Sequence, residues 1–325
     1  VRARGNAVRP PPGPASVLGW VKGVRMRRHD ADGGADLRSM QAAVQRAWSP
    51  SQRWHVGDLA WQCHAGFGGP TALWTEHGTP IAWARLESPA EAGVHVDPAR
   101  PDAADAVLAW LGTVAPGPAP AVTVLDTETH LVDALRRNGY RPDDGALYFL
   151  HCERSLDSLP APRLPAGYTV RAVRADETAA RAAVHRAAWR PARIGALLVP
   201  PVALDGESGM SAPRYRAVTA AWPYRAELDQ VVVAPGGAFA AFALGWLDEA
   251  NAAGELEPVG TDPRYARRGL AAAASLACLH ALRTAGATRA VVYPRGDPAY
   301  PVPRRLYAAL GFRPVARTVT YRRAA

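Results

Sequence analysis

The residues best suited to chemistry lie in one run, Glu255-Leu256-Glu257-Pro258-Val259-Gly260-Thr261-Asp262-Pro263, continued by Arg264-Tyr265-Ala266-Arg267-Arg268-Gly269-Leu270-Ala271. It reads as a strand that passes through a short basic turn into a helix reaching about Ala285. Such a turn aims successive backbone N–H groups at one spot and adds the positive end of the helix dipole, which makes an anion site suited to a pyrophosphate. Gly269 lets a phosphate approach with no side chain in the way. Arg267 and Arg268 add charge, while the fixed backbone donors do the orienting. Upstream, Pro258 cannot donate to a sheet ladder and Gly260 weakens one, so the strand should bulge or splay there. That leaves N–H groups around Val259 to Thr261 free to hold an extended, amide-rich ligand and to polarise its carbonyl oxygen. Glu255 and Glu257 share one face of the strand at period two, with Glu257 nearer the splay.

Two halves of similar plan must carry this segment. Each opens with a short strand (Val24 to Arg28; Tyr168 to Val173) and an amphipathic helix. Inside those helices Ala42-Ala43-Val44-Gln45-Arg46-Ala47 matches Ala182-Ala183-Val184-His185-Arg186-Ala187, and a tryptophan follows in both, Trp48 and Trp189. A hairpin signal comes next, with turns at residues 77–80 and 234–237. Then a strand ends in Asp-Pro (Asp97-Pro98; Asp262-Pro263), a long helix follows, and a last helix closes in Gly-aromatic-Arg-Pro at Gly139 and Gly311. Landmarks in the same order imply a duplicated α+β domain. The Pro-rich segment 159–165 is read as the linker and residues 1–18, rich in Pro, Gly and Arg, as a flexible tail.

At Gly269-Leu270-Ala271 the chain resembles the GCN5-related N-acetyltransferase (GNAT) family, whose Gln/Arg-x-x-Gly-x-Gly/Ala turn holds the pyrophosphate of acyl-coenzyme A; Ala266 stands at the turn's first position. Leu306-Tyr307-Ala308-Ala309-Leu310-Gly311-Phe312 is similar to the family's closing Leu-Tyr-x-x-x-Gly-Phe segment, and Tyr300 stands where the family often has Asn. The resemblance is specific over residues 166–325 and fainter over 20–155; tandem members of the family share the two-copy plan. It implies two tandem GNAT-like domains, each a mixed, mostly antiparallel sheet flanked by helices: a degenerate one at 19–158 and a catalytic one at 166–325. The implied activity is direct transfer of an acetyl or longer acyl group from acyl-CoA to a primary amine of a small molecule. Val259, Gly260 and Thr261 would polarise the thioester, and Ala266, Arg267, Arg268, Gly269, Leu270, Ala271 and Ala272 would hold the pyrophosphate. Tyr307 would protonate the leaving sulfur, and Glu257 or His185, or less readily Glu255, would accept the amine proton. No metal is implied. A CoA-binding regulator without catalysis is the alternative, motivated by Ala266 and Tyr300.

The first copy reads differently at the same landmarks. Asp102 stands where the second copy has Arg267, Ala104 where it has Gly269, and Leu135 where it has Tyr307. It keeps the apolar frame and loses both the anion cradle and the hydroxyl, so it is expected to wall the acceptor site. Net charge is +9, yet Lys22 is the single lysine and the arginines are dispersed, so no nucleic-acid partner is expected. No apolar run is long enough to span a membrane, no secretory signal is read, and Cys63, Cys152 and Cys278 have neither zinc nor disulfide spacing, which points to a cytoplasmic protein. His280 and Cys278, on one Ala-rich helix, read as structural.

Overall fold

The computed structural model describes residues 17–21 and 24–323. Of the expected tail, only Val17 and Leu18 fall within the described residues, where they open a strand. The first half runs β1 (Val17–Val21), β2 (Val24–Asp30), α1 (Gly34–Ala47), α2 (Val56–Cys63), β3 (Thr71–Glu76), β4 (Thr79–Ser88), β5 (Glu91–Val96), α3 (Ala103–Val114), β6 (Ala121–Leu125), α4 (Thr129–Arg137), β7 (Tyr140–Pro142) and β8 (Leu150–Ser155). The second runs β9 (Thr169–Ala172), α5 (Thr178–Ala188), α6 (Pro191–Gly195), α7 (Ala212–Ala220), β10 (Asp229–Val233), β11 (Phe239–Asp248), β12 (Ala253–Thr261), α8 (Leu270–Thr284), β13 (Arg289–Val292), α9 (Val302–Ala309) and β14 (Arg313–Arg323). Every landmark shared by the two halves in sequence falls on matching elements, and Trp48 and Trp189 cap the C-termini of α1 and α5. The fold is α+β, mostly antiparallel, with parallel pairing at β5–β6 and β12–β13.

The halves do not keep separate sheets. One continuous sheet runs β1-β2-β3-β4-β5-β6-β14-β8-β13-β12-β11-β10-β9. β8, from the first half, lies between β13 and the opening residues of β14. The closing residues of β14, from Thr318 onward, pair with β6 and β7 of the first half. Each half thus lends its last strand to the other, and the backbone donors of both are satisfied only in the joined molecule.

β11 is buried along its whole length, which fits its near-continuous apolar sequence, because helices cover it on both faces. On one face Ala241, Ala243 and Leu247 pack with Ala273, Ala274 and Leu279 of α8. The small residues of α8 let it lie close to the sheet: a Cβ at Gly245 would meet Cys278 Sγ at 2.6 Å, and one at Gly254 would meet Leu282 at 2.8 Å. On the other face Leu244 and Trp246 pack with Ala182 of α5, Tyr215 and Val218 of α7, and Ala60 of α2. A helix of the first half is therefore part of the second half's core.

Candidate active site

β12 bulges where Pro258 and Gly260 predict it. Ala243 faces Val259 and Gly245 faces Leu256, so β12 carries one more residue than β11 across this interval. Pairing with β13 stops at Glu255, so the two strands diverge beyond it. The Asp262 N–H donates to Ala240 C=O at 2.9 Å, and antiparallel pairs alternate. Gly260 is therefore turned toward Phe242 of β11, while the N–H groups of Val259 and Thr261 point to the open side. Of the three donors expected here, Gly260 is spent within the sheet. Its small size has a use nonetheless, since a Cβ there would come within 2.6 Å of the Phe242 ring and 2.8 Å of Ala188.

The basic turn leads from β12 into α8. Arg267 (φ 61°) and Gly269 (φ 75°) both adopt the left-handed conformation, which tightens the turn. Gly269 is the N-cap, with no side-chain cap and open space where its Cβ would stand. The first N–H groups of α8, from Leu270, Ala271 and Ala272, thus keep the anion-binding capacity of a helix N-terminus. Ala266, Arg267 and Arg268 flank it, and Arg268 is steadied by a 2.7 Å bond to the Tyr168 hydroxyl.

Glu257 lies on the bulged stretch, and its backbone C=O accepts the Trp246 indole N–H at 2.6 Å. Burial, with Asp58 adding its negative charge, pushes the Glu257 carboxyl up to about 8. Tyr307, on α9, packs its ring edge-on to Phe312. Burial and then Glu257 raise its hydroxyl above the ordinary tyrosine range, so it stays protonated at neutral pH. Tyr300 is buried beside it.

Sequence reasoning assigned no residue of the first half to the site. α2 starts with a capping box: the His55 ring accepts from the Gly57 N–H at 3.1 Å, and Asp58 accepts from the His55 N–H at 2.8 Å. The same His55 reaches the second half, with Nδ1 at 2.9 Å from Glu255 Oε2 and Nε2 at 3.3 Å from the Ala253 C=O. His55 Nδ1 thus meets both the Gly57 N–H and Glu255 Oε2, while Nε2 faces the Ala253 C=O. Burial lowers the His55 pKa and raises those of Glu255 and Asp58. Carboxylate oxygens of Asp58, Glu255 and Glu257 all lie within 4.8 Å of one another. Glu255 is thus committed to the junction between halves.

His185 is not part of this cluster. Its ring sits among Trp61, Trp189 and Phe242 at centroid separations of 5.6, 6.3 and 5.6 Å. Burial, with Arg181, Arg214 and Arg186 nearby, depresses it to about 3, so it is neutral and a weak base. Gln45, its counterpart in the first half, bonds Asp248 across the junction at 2.7 Å. Cys278 is buried and donates to the Leu228 C=O, and His280 bonds the Pro160 C=O of the linker.

The first half has the same opening, but filled. β5 and β6 pair only at Glu91–Ala121 and Ala92–Val122 and then diverge. Trp54 donates its indole N–H to the Val94 C=O at 2.7 Å, and Arg53 donates to the Thr123 C=O. Arg53 lies over the Trp54 ring, so the two residues occupy the space between the strands. At the neighbouring turn, Arg100 pairs with Asp102 and Glu76.

Residues 205–312 match the acetyltransferase (GNAT) family model. The matched segment lies wholly within the second half. No curated protein sequence matches the chain. Among solved structures, a GCN5-related N-acetyltransferase from Sphaerobacter thermophilus is 20% identical, with a TM-score of 0.53 over 91% of this chain and 95% of that one. A tandem GNAT protein from the clavulanic acid biosynthesis pathway is 15% identical, with a TM-score of 0.52 over 90% and 97%. A GNAT-family acetyltransferase from Colwellia psychrerythraea is 10% identical, with a TM-score of 0.57 over 91% and 99%. At such identities the likeness is one of fold, and it extends over both halves. Among the described residues, no helix is long and apolar enough to cross a membrane.

Proposed function

We propose that the second half, residues 166–325, transfers an acetyl or longer acyl group directly from acyl-CoA to a primary amine of a small molecule, and that residues 19–158 form a degenerate GNAT copy. The observation that carries this reading is the conjunction at β12 and α8. Unspent N–H groups of a splayed strand lie next to an uncapped helix start with an open glycine, with Glu257 on the same strand. The N–H groups of Val259 and Thr261 would polarise the thioester carbonyl, and residues 266–272 would take the pyrophosphate. Glu257 would remove a proton from the acceptor, and Tyr307, still protonated at neutral pH, would give one to the departing sulfur.

The filled opening of the first half supports one coenzyme site per chain. The chemistry so described needs no metal. Tyr307→Phe tests the reading. Turnover should fall about 10²- to 10⁴-fold, the span of general acid–base catalysis, while the affinity for acetyl-CoA is retained. Parallel loss of affinity would show that Tyr307 only supports the fold. Absence of turnover in the wild-type protein on every amine tried would favour a CoA-binding regulator.

A further inference from the structure

We infer that the first half takes part in the reaction through Asp58, a positioning residue for Glu257: the two carboxylates, one from each half, receive the acceptor as an ammonium cation and hold the proton it sheds. The inference rests on the acyl-transfer reading and names the class of acceptor, a cationic amine.

Asp58 is fixed in place by its own helix start, because its Oδ2 accepts the His55 N–H and the His55 ring is in turn tied to Glu255 and Ala253. The close approach of Gly57 to Trp246 sets that helix start directly against β11 and β12. The carboxylates of Asp58, Glu255 and Glu257 then converge within 4.8 Å, and among the described residues no arginine or lysine pairs with any of them. A separate observation points to a guest. Glu255 is fully buried, His55 takes only its Oε2, and Oε1 has no hydrogen-bond partner. Unused acceptors beside two further carboxylates match an ammonium group, which carries three donors and no acceptor.

The proton balance closes. One ammonium proton passes to Glu257, the nitrogen lone pair forms the C–N bond, and the C–S pair leaves on sulfur. Tyr307 protonates that sulfur and is restored by a second nitrogen proton, while the third stays on the amide. The groups that interact electrostatically with Glu257 are Asp58 from α2, Glu255 on its own strand, Tyr293 after β13 and Tyr307 on α9. Burial raises the Glu257 carboxyl first, and among its neighbours Asp58 adds to that rise through its charge.

The test is Asp58→Asn in the full chain, with acetyl-CoA and the probes spermidine, glucosamine and tryptamine, following release of the CoA thiol against pH. The amide oxygen still accepts the His55 N–H, so the cap survives, which a melting curve checks. In the wild type, kcat/KM should rise with pH as Glu257 ionises. In the variant that limb should move to lower pH by about one unit, and KM for the amine should rise about tenfold. Asp58→Glu should restore both in part. A purely structural role would lower rates at every pH and leave the limb in place. Turnover with an unmoved limb, or with an absolute need for added divalent metal, overturns the inference alone. No turnover with any probe overturns the acyl-transfer reading and the inference together.

Discussion

Gly57→Ala should separate the two halves at the point where they touch most closely. A methyl at this position would meet the Cβ and Cγ of Trp246 at 2.5 Å and would also strike Glu255 Oε2. Ordinary carbon contacts need about 3.5–4.0 Å, so α2 must withdraw by about 1 Å. Neither neighbour can yield: Trp246 is fully buried in the core, and Glu255 is held by His55. Overpacking of this kind costs about 1–3 kcal/mol. Pulling His55 away from Glu255 leaves a buried polar group unsatisfied, which adds about 1–3 kcal/mol. At about 2–4 °C per kcal/mol, the melting temperature should fall by roughly 4–24 °C. Gly112→Ala is the internal control, since nothing lies within 4 Å of its Cβ position on the exposed side of α3. That change should stabilise the protein by about 0.5–1 kcal/mol through helix propensity and chain entropy. Thermal unfolding followed by circular dichroism reads both variants. A Gly57→Ala melting curve that overlays the wild type would refute the docking of α2 on β11 and β12.

Two further outcomes follow from the same structure. Residues 159–325 expressed alone lack β8 and leave the end of β14 unpaired, so they should fail to give a cooperative melt, and co-expression with residues 1–158 should restore it; a stable, native-like monomer of 159–325 would contradict the strand exchange. Stability should also carry the signature of Glu257, which burial holds at about 8 in the folded state, well above the ordinary carboxylate range. The folded state binds the extra proton, so this contribution is present at low pH and is lost as pH rises toward 8. Wild type minus Glu257→Gln, measured by urea unfolding, should therefore decline by a few kcal/mol from about pH 5 to pH 8, whereas a difference that is flat with pH would show that Glu257 is not a buried, proton-holding group.

What was legible in the sequence was local. Pro258 and Gly260 announce the bulge because the first has no N–H and the second no Cβ, and Gly269 announces the helix start for the same kind of reason. The ordered landmarks of the repeat were equally readable, since each is a turn or cap whose residues are chemically constrained. The junction was not. His55 and Asp58 do form a readable cap, but Glu255, the partner that gives the cap its use, is 200 residues away in sequence. The exchange of β8 and β14 is hidden for a related reason, because alternating strands carry no mark of which sheet receives them. The difference between Gln45 and His185 looked like gain of a base in the second half. The structure accounts for it otherwise, with Gln45 bonding Asp248 across the junction and His185 packed among aromatic rings. The turn of the first copy reads as lacking an anion cradle, whereas Arg53 and Trp54, which bond across its diverging strands, carry no such signal in the sequence.

The central claim is that one half binds the coenzyme and the other has its opening filled. Calorimetric titration of the full chain with acetyl-CoA tests it most directly. One site per chain is expected, and Gly269→Asp should abolish it, since that position has room for a side chain and a carboxylate there would repel phosphate. Two sites per chain, or a single site that survives Gly269→Asp, would contradict the account.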